Sequence, residues 1–339
     1  MKNKPIKICD TTIQPGEVAN LALPLPEQHS CSPLYMPIKV IHSKLKGPCL
    51  LLISTLKGIE LNGLDIVNRI TKTITPDKIR GTIIAIPVVN VYGLTHYPSM
   101  LPIGSDLAEC FPGDENGTFG ERIAHILTQE LFTKADYCIE LQTGGMNHNI
   151  LPQVYCDFKH RKTRDLAKVF QTPVITNVDI EGNNLRETME ELDVPLLVYQ
   201  GGEAMRFDEN AIVFGVEGIT NIMRALDMLD KAPIKEINPI FSRDEAWIVA
   251  HKGGILRVEV ALGQTVKKNE LLGTITDPFG AEVLEPVRAL EEAIVVGINT
   301  TPLIHEGLSV FKMASFLDYE KAESVIEAWD QKQPDSYIN

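Results

Sequence analysis

The most chemically suggestive segment of this chain is short. Gly47-Pro48 opens an apolar run, Cys49 to Ile53, which passes through Ser54-Thr55-Leu56 into Lys57-Gly58-Ile59-Glu60 and then Leu61-Asn62-Gly63. An apolar strand, a small Gly-containing turn, a carboxylate and a helix follow in that order. A histidine at position 57 would make a His-x-x-Glu pair, two metal ligands on one strand-to-helix turn. Position 57 is lysine, which must lose a proton before it can ligate, so Glu60 is the one conventional ligand of the segment.

Other reactive side chains are less suggestive. Cys110 could serve as a thiol nucleophile with His148 or His96 as base, but no spacing demands it. His125 sits in a helical pattern with an apolar face and reads as a packing or capping residue, and His305 falls in a turn. Asp114-Glu115-Asn116-Gly117 lacks the later ligands of a calcium loop and reads as a turn. The basic run Lys159-His160-Arg161-Lys162-Thr163-Arg164 reads as a solvated helix start.

These residues need a scaffold, and its pattern is legible. Residues 1–45 carry Pro24, Pro26, Pro33 and Pro37 and read as extended segments and turns. Strands are expected at 50–55, 82–89, 135–141 and 195–199, and helices at 61–71, 118–131, 163–170, 184–192 and 209–229. That alternation predicts an α/β mixed-sheet domain covered on both faces, over residues 1–235. After Pro233 and Pro239 helical periodicity stops, and glycines recur between short apolar runs. A small all-β domain is expected over 240–317, with a closing helix and tail over 318–339. Its two related halves resemble those of a lipoyl/biotinyl-like barrel-sandwich. The turn Asp277-Pro278-Phe279-Gly280 has no lysine, so no lipoyl or biotin attachment is expected.

Composition narrows the function classes. The chain has 339 residues, 44% hydrophobic and 23% charged, with net charge −13 and a sequence pI of about 5.1. Such a balance disfavours nucleic acid and anionic membrane surfaces as partners. Cys9, Cys31, Cys49, Cys110, Cys138 and Cys156 show no CxxC spacing, and no long apolar stretch follows the N-terminus. A reducing, cytoplasmic setting without signal peptide or membrane span is expected.

An ordered series of motifs carries a family resemblance. It begins with Gly47-Pro48, Lys57-Gly58-x-Glu60-x-Asn62-Gly63 and Ile86-Pro87-Val88-Val89-Asn90. It continues through Asp106-Leu107, Phe111-Pro112-Gly113-Asp114, Glu121-Arg122-Ile123-Ala124 and Leu141-Gln142-Thr143-Gly144. Leu151-Pro152, Gly201-Gly202-Glu203-Ala204, Gly253-Gly254 and Thr276-Asp277-Pro278 complete it. The chain resembles the succinylglutamate desuccinylase/aspartoacylase family, zinc hydrolases with a zinc-carboxypeptidase-like fold, over most of residues 40–315.

That resemblance implies a site whose key members are substituted. The family's metal-ligand positions fall on Lys57, Glu60 and Gln142, with only Glu60 retained. Its general-base position falls on Gln200, an amide that cannot take a proton from water at useful pH, with Glu203 as a nearby carboxylate. Its substrate-carboxylate positions fall on Ala108, Glu109 and His148, none of which offers a guanidinium clamp. The charges suggest that Lys57 and Glu60 form an ion pair where the metal would sit, with Gln142 and Gln200 hydrogen-bonded around it. The expectation is a catalytically inactive or altered relative, without cofactor, that binds a small-molecule ligand or protein partner, with self-association as a further expectation from the resemblance. The alternative is a zinc-dependent hydrolase of the amide bond in N-acylated amino acids or related amides, its metal held by other residues such as His96 or His148.

Overall fold

The computed structural model describes residues 2–27, 33–96, 100–179, 184–233, 238–242, 244–280 and 283–316. The closing helix expected after residue 317, and Cys31, lie outside them. A small hairpin, β1 (Ile6–Ile8) and β2 (Thr11–Ile13), precedes two long strands, β3 (Val18–Pro24) and β4 (Tyr35–His42). The alternating part follows as β5 (Cys49–Ser54), α1 (Asn62–Thr73), β6 (Thr82–Ile86), α2 (Val91–His96), α3 (Phe119–Glu130) and β7 (Tyr137–Gln142). Then come β8 (His148–Cys156), α4 (Arg161–Phe170), β9 (Val174–Asn177), α5 (Asn184–Glu191), β10 (Leu196–Gly202) and α6 (Glu209–Ala225).

The sheet is mixed, as the sequence pattern predicts. Parallel pairs join β10, β7, β5 and β6 in that order, while β8, β4 and β3 add antiparallel neighbours. Every residue of β5 and β6 is buried, which is what a strand covered on both faces requires. Alternate residues of β5 divide between two cores. Leu51 and Ile53 pack with Ile123 and Leu127 of α3 and Met189 of α5. Leu50 and Leu52 pack with Ile66 of α1, Phe170 of α4 and Ile219 of α6.

The C-terminal strands are β11 (Ile240–Ser242), β12 (Glu245–Val249), β13 (Gly254–Val258), β14 (Thr265–Val266), β15 (Leu271–Thr276), β16 (Val283–Arg288), β17 (Ala293–Asn299), β18 (Leu303–Ile304) and β19 (Ser309–Ser315). One sheet runs β16, β15, β13, β18, and the strands β12, β19, β17 and β14 form the other wall. Leu256, Leu272, Ile275, Val295, Val310 and Phe311 share the apolar core of this region. This second wall is continuous with the α/β sheet, because β17 pairs with β8 through Gly297 with Ile150 and Asn299 with His148.

β8 and β9 are strands that sequence periodicity did not reveal, and the β8 pattern shows why. Pro152 and Gln153 interrupt its apolar pattern. Pro152 belongs to none of its pairing registers and lies where one edge passes from β17 to β9, so its missing N–H breaks no rung of the ladder. The strand expected over 82–89 stops at Ile86, before Pro87, and the long helix expected to 229 ends at Ala225. Just beyond, Asp227 takes a left-handed conformation that no helix continues through. No helix among the described residues is long and apolar enough to cross a membrane.

Candidate functional site

The candidate residues gather at the carboxyl ends of β5, β7 and β10. The turn after β5 is tightly constrained. Thr55, a fully buried β-branched residue, is held at φ 57°, a conformation that persists only when its surroundings over-determine it. Its hydroxyl donates to the Glu60 carbonyl at 2.8 Å, and its own carbonyl accepts from the Asn90 N–H at 2.9 Å. A methyl group on Gly58 would lie 2.0 Å from the Gly93 carbonyl carbon, so the turn and α2 can approach only through glycine. These contacts fix where Lys57 and Glu60 start from.

Glu60 is buried, with 4% of its surface exposed. Burial pushes its carboxyl up to about 8; the Lys57 N–H, donating to Oε2 at 3.1 Å, opposes this, and Glu140 reinforces it. The expected Lys57–Glu60 ion pair does not form. The Lys57 ammonium instead lies 3.8 Å from Asp106 Oδ2, with its side chain 48% exposed. The physical reason is hydration. A flexible ammonium beside a solvent-accessible carboxylate keeps its water, whereas entering the buried site would strip it. Glu60 is therefore met by main-chain N–H groups of Lys57 and Thr143.

The two glutamines do not surround a Lys57–Glu60 ion pair as expected, and instead take other partners. Gln142 Nε2 donates to Glu140 Oε1 at 2.6 Å. Gln200 Nε2 donates to the Thr143 carbonyl at 3.1 Å and reaches Gln142 Oε1 at 3.5 Å. Burial also pushes the Glu140 carboxyl up, opposed by its bond from Gln142.

Gln200 leads into a network that sequence reasoning missed. The Tyr155 hydroxyl stands 3.1 Å from Gln200 Oε1 and 2.9 Å from Glu245 Oε2, and its single proton serves one of them at a time. It accepts from Gln153 Nε2 at 2.8 Å and from Lys312 Nζ at 3.0 Å. Glu245 pairs with Lys312 and accepts from the Thr176 hydroxyl at 2.7 Å. The tyrosine comes from β8, the threonine from β9, the glutamate from β12 and the lysine from β19. A signal for Lys312 was present in the sequence: it is the lone charge within Val310-Phe311-Lys312-Met313.

The positions expected from the resemblance to face a substrate carboxylate are dispersed. Ala108 and Glu109 lie on the 3-10 turn Leu107–Cys110, which the Asp106 side chain caps through the Ala108 N–H at 3.0 Å. Glu109 is exposed, and its main-chain carbonyl accepts from the Asn184 side chain. His148 packs against Trp247 with ring centroids 4.6 Å apart and planes tilted by 44°, and burial lowers its pKa, which disfavours the charged ring. Glu203 is occupied by the Thr300 hydroxyl at 3.1 Å and by Arg206 at 3.4 Å.

The other sequence candidates fall into local roles. His96 is exposed and stacks on Tyr92. Burial, then Glu121, Asp106 and Glu109, push the Cys110 thiol up, which opposes a nucleophilic thiolate. Asp114 accepts from the Asn116 N–H at 2.8 Å, an Asx turn. At the basic helix start His160 pairs with Glu190 and Arg161 with Asp165.

The donor set does not fit a zinc ion. Catalytic zinc takes three protein ligands and an open position. Here the Lys57 ammonium turns to Asp106, and the Gln142 oxygen faces the Gln200 amide. Only Glu60 of these three positions is a conventional ligand.

Comparison with known proteins places this geometry in context. Residues 46–226 match the family model described as the succinylglutamate desuccinylase/aspartoacylase catalytic domain. The N-alpha-acetyl-L-2,4-diaminobutyric acid deacetylase of Halomonas elongata is 24% identical over 271 residues, covering 76% of this chain and 79% of that protein. A succinylglutamate desuccinylase/aspartoacylase structure from Rhodobacter sphaeroides superposes with a TM-score of 0.77 at 21% identity, covering 89% of this chain and 95% of that one. The product-bound ectoine utilization protein EutE (DoeB) of Ruegeria pomeroyi gives 0.78 at 21% identity, covering 93% and 99%.

Proposed function

The chain belongs to the succinylglutamate desuccinylase/aspartoacylase family, and from that premise we propose that it is a catalytically inactive or altered relative that binds a small ligand or partner protein. One observation carries this reading: the Lys57 ammonium lies against Asp106 rather than in the site, while Gln142 donates to Glu140 and Gln200 donates to the Thr143 carbonyl and reaches Gln142. A general base must accept a proton from water, and an amide does not. The reading includes a domain division at 1–235, 240–317 and 318–339, a lipoyl-like form for the small β-sandwich, a cytoplasmic location and possible self-association.

The second reading is a zinc-dependent hydrolase of N-acylated amino acids or related amides. The name of the Halomonas relative supports it, since that protein is a deacetylase of an acetylated amino acid. Elemental mass spectrometry separates the two readings, using protein purified without chelator or histidine tag and then dialysed. Zinc well below one per chain, with no release of acetate from N-acetylated amino acids, is the expected result. Stoichiometric zinc with turnover would replace the first reading by the second.

A further inference from the structure

An edge strand leaves a row of main-chain N–H and C=O groups without a neighbour, and folds guard such edges with short strands, prolines or charges. Several edges here are guarded in that way. β11 and β18 are three and two residues long, and β16 carries Glu285, Pro286 and Arg288. β3 lacks these guards. It runs for seven residues, Val18-Ala19-Asn20-Leu21-Ala22-Leu23-Pro24, without a charge, and its proline is the last of them. Among the described residues it pairs with β4 alone.

The register with β4 decides which main-chain groups point outward. In an antiparallel pair, opposed residues alternate between exchanging both hydrogen bonds and exchanging none. Pro37 lies opposite Ala22 and has no N–H to give, while the Leu25 N–H, three residues on, bonds to the Leu34 carbonyl at 2.9 Å. Ala22 with Pro37 is therefore a pair without bonds, and so by alternation are Asn20 with Lys39 and Val18 with Ile41. Val18, Asn20 and Ala22 turn both main-chain groups away from the sheet. Their side chains share an exposed face, whereas Ala19, Leu21 and Leu23 pack inward with Met36 and Ile38. Tyr35 and Pro37 of β4 continue the exposed face. Lys39, also on it, turns its ammonium to the Thr71 carbonyl at 3.0 Å.

We propose that β3 is a self-pairing edge: two copies of this chain join along it, antiparallel, about a two-fold axis through Asn20, and their sheets become one. Register and charge single out a second copy as the occupant. About that axis Val18 meets the partner's Ala22, Asn20 meets its own counterpart, and each outward N–H of the three finds a carbonyl. Pro24 falls at the end of the ladder, where its missing N–H breaks no rung. Each chain carries a net charge of −13, so two copies approach closely only where neither presents like charges, and this uncharged strand is such a place. The same patch on both chains gives the isologous contact that two-fold dimers use. The inference rests on the self-association included in the proposed function and supplies its surface; it does not depend on activity or metal.

The test is sedimentation equilibrium of the full chain over a concentration series, in which the wild type should dimerise. Ala22→Pro removes an outward N–H but no bond to β4, and should weaken the dimer about tenfold or more. Asn20→Asp keeps the shape, sets like charges across the axis and should weaken it as well. Asn20→Cys reads the register directly. On the axis its two Cα atoms would lie about 5.5 Å apart, within disulfide range, so oxidation should link the chains well above the wild-type background, and Val18→Cys should not. Thermal unfolding checks that each variant folds; should Ala22→Pro or Asn20→Asp fail, the two cysteine variants decide. A wild type that stays monomeric would overturn the proposal. A dimer untouched by both substitutions, with no preferential link at Asn20→Cys, would sink this surface and leave self-association itself standing. A different polypeptide held by a monomeric chain and released by Ala22→Pro would overturn the second copy as occupant.

Discussion

Replacing Lys312 by methionine tests whether the polar network beneath the candidate site is held by charge. Lys312 and Glu245 expose 16% and 5% of their side chains, and Glu245 also bonds to Tyr155 and Thr176. Lys312→Met keeps most of the buried hydrocarbon and leaves the glutamate without its cation. Breaking a buried pair in this way costs about 3–5 kcal/mol. The two remaining hydrogen bonds to Glu245, each worth about 1.5–3 kcal/mol to a charged group, favour the lower end, about 3 kcal/mol. Glu245→Gln should cost less, about 1–2 kcal/mol, because Lys312 is the more exposed partner and can turn toward water. The double variant should then lose less than the sum of the two, with a coupling of about 1–3 kcal/mol. Urea unfolding followed by fluorescence and circular dichroism measures all four proteins. A Lys312→Met variant within about 0.5 kcal/mol of wild type, or strictly additive losses, would refute the reasoning.

Three further outcomes are expected. The folded Glu60 carboxyl keeps its proton up to about 8 whereas an unfolded one releases it near 4.5, so the folded state holds more protons between those values and stability falls as pH rises through that window. A tenfold change in acidity corresponds to about 1.4 kcal/mol, so Glu60→Gln should flatten the pH profile and add roughly 2–4 kcal/mol at pH 8 after allowing for local relaxation; an unchanged slope would contradict the assignment. Gly58→Ala forces a methyl group to 2.0 Å from the Gly93 main chain and should cost about 2–4 kcal/mol by thermal or urea unfolding, while a loss below about 0.5 kcal/mol would mean that the turn moves freely. The triple variant Lys57→His, Gln142→His, Gln200→Glu should take up zinc, read by elemental mass spectrometry, more readily than it gains amide hydrolysis, because Ala108 and Glu109 still offer no carboxylate clamp; a triple variant that stays metal-free would show that the pocket itself has changed.

Much of the scaffold was readable because its signals are local. The runs at 50–53 and 83–86 are apolar throughout, and Thr118 caps α3 with Glu121 three residues on, a capping box that marks the helix start. β8 escaped notice because its pattern is broken by Pro152, which lies where one edge changes partner, and by Gln153, whose buried side chain bonds to the Tyr155 hydroxyl. The site divided in the same way. Residue types alone carry the expectation that Lys57, Gln142 and Gln200 suit a metal or a general base poorly, since protonation chemistry belongs to the side chain itself.

What those residues do instead depends on their neighbours. Lys57 and Glu60 are three residues apart, yet one side chain reaches water and Asp106 while the other is enclosed. That outcome follows from desolvation, a property of the assembled site rather than of sequence spacing. Tyr155, Glu245 and Lys312 lie up to 157 residues apart, and they meet only because β17 extends the α/β sheet into the C-terminal strands. The sequence by itself determined the periodic elements and the chemical types at each position. The tertiary structure alone decided which charges are buried together, because solvent exclusion is set by packing between distant strands.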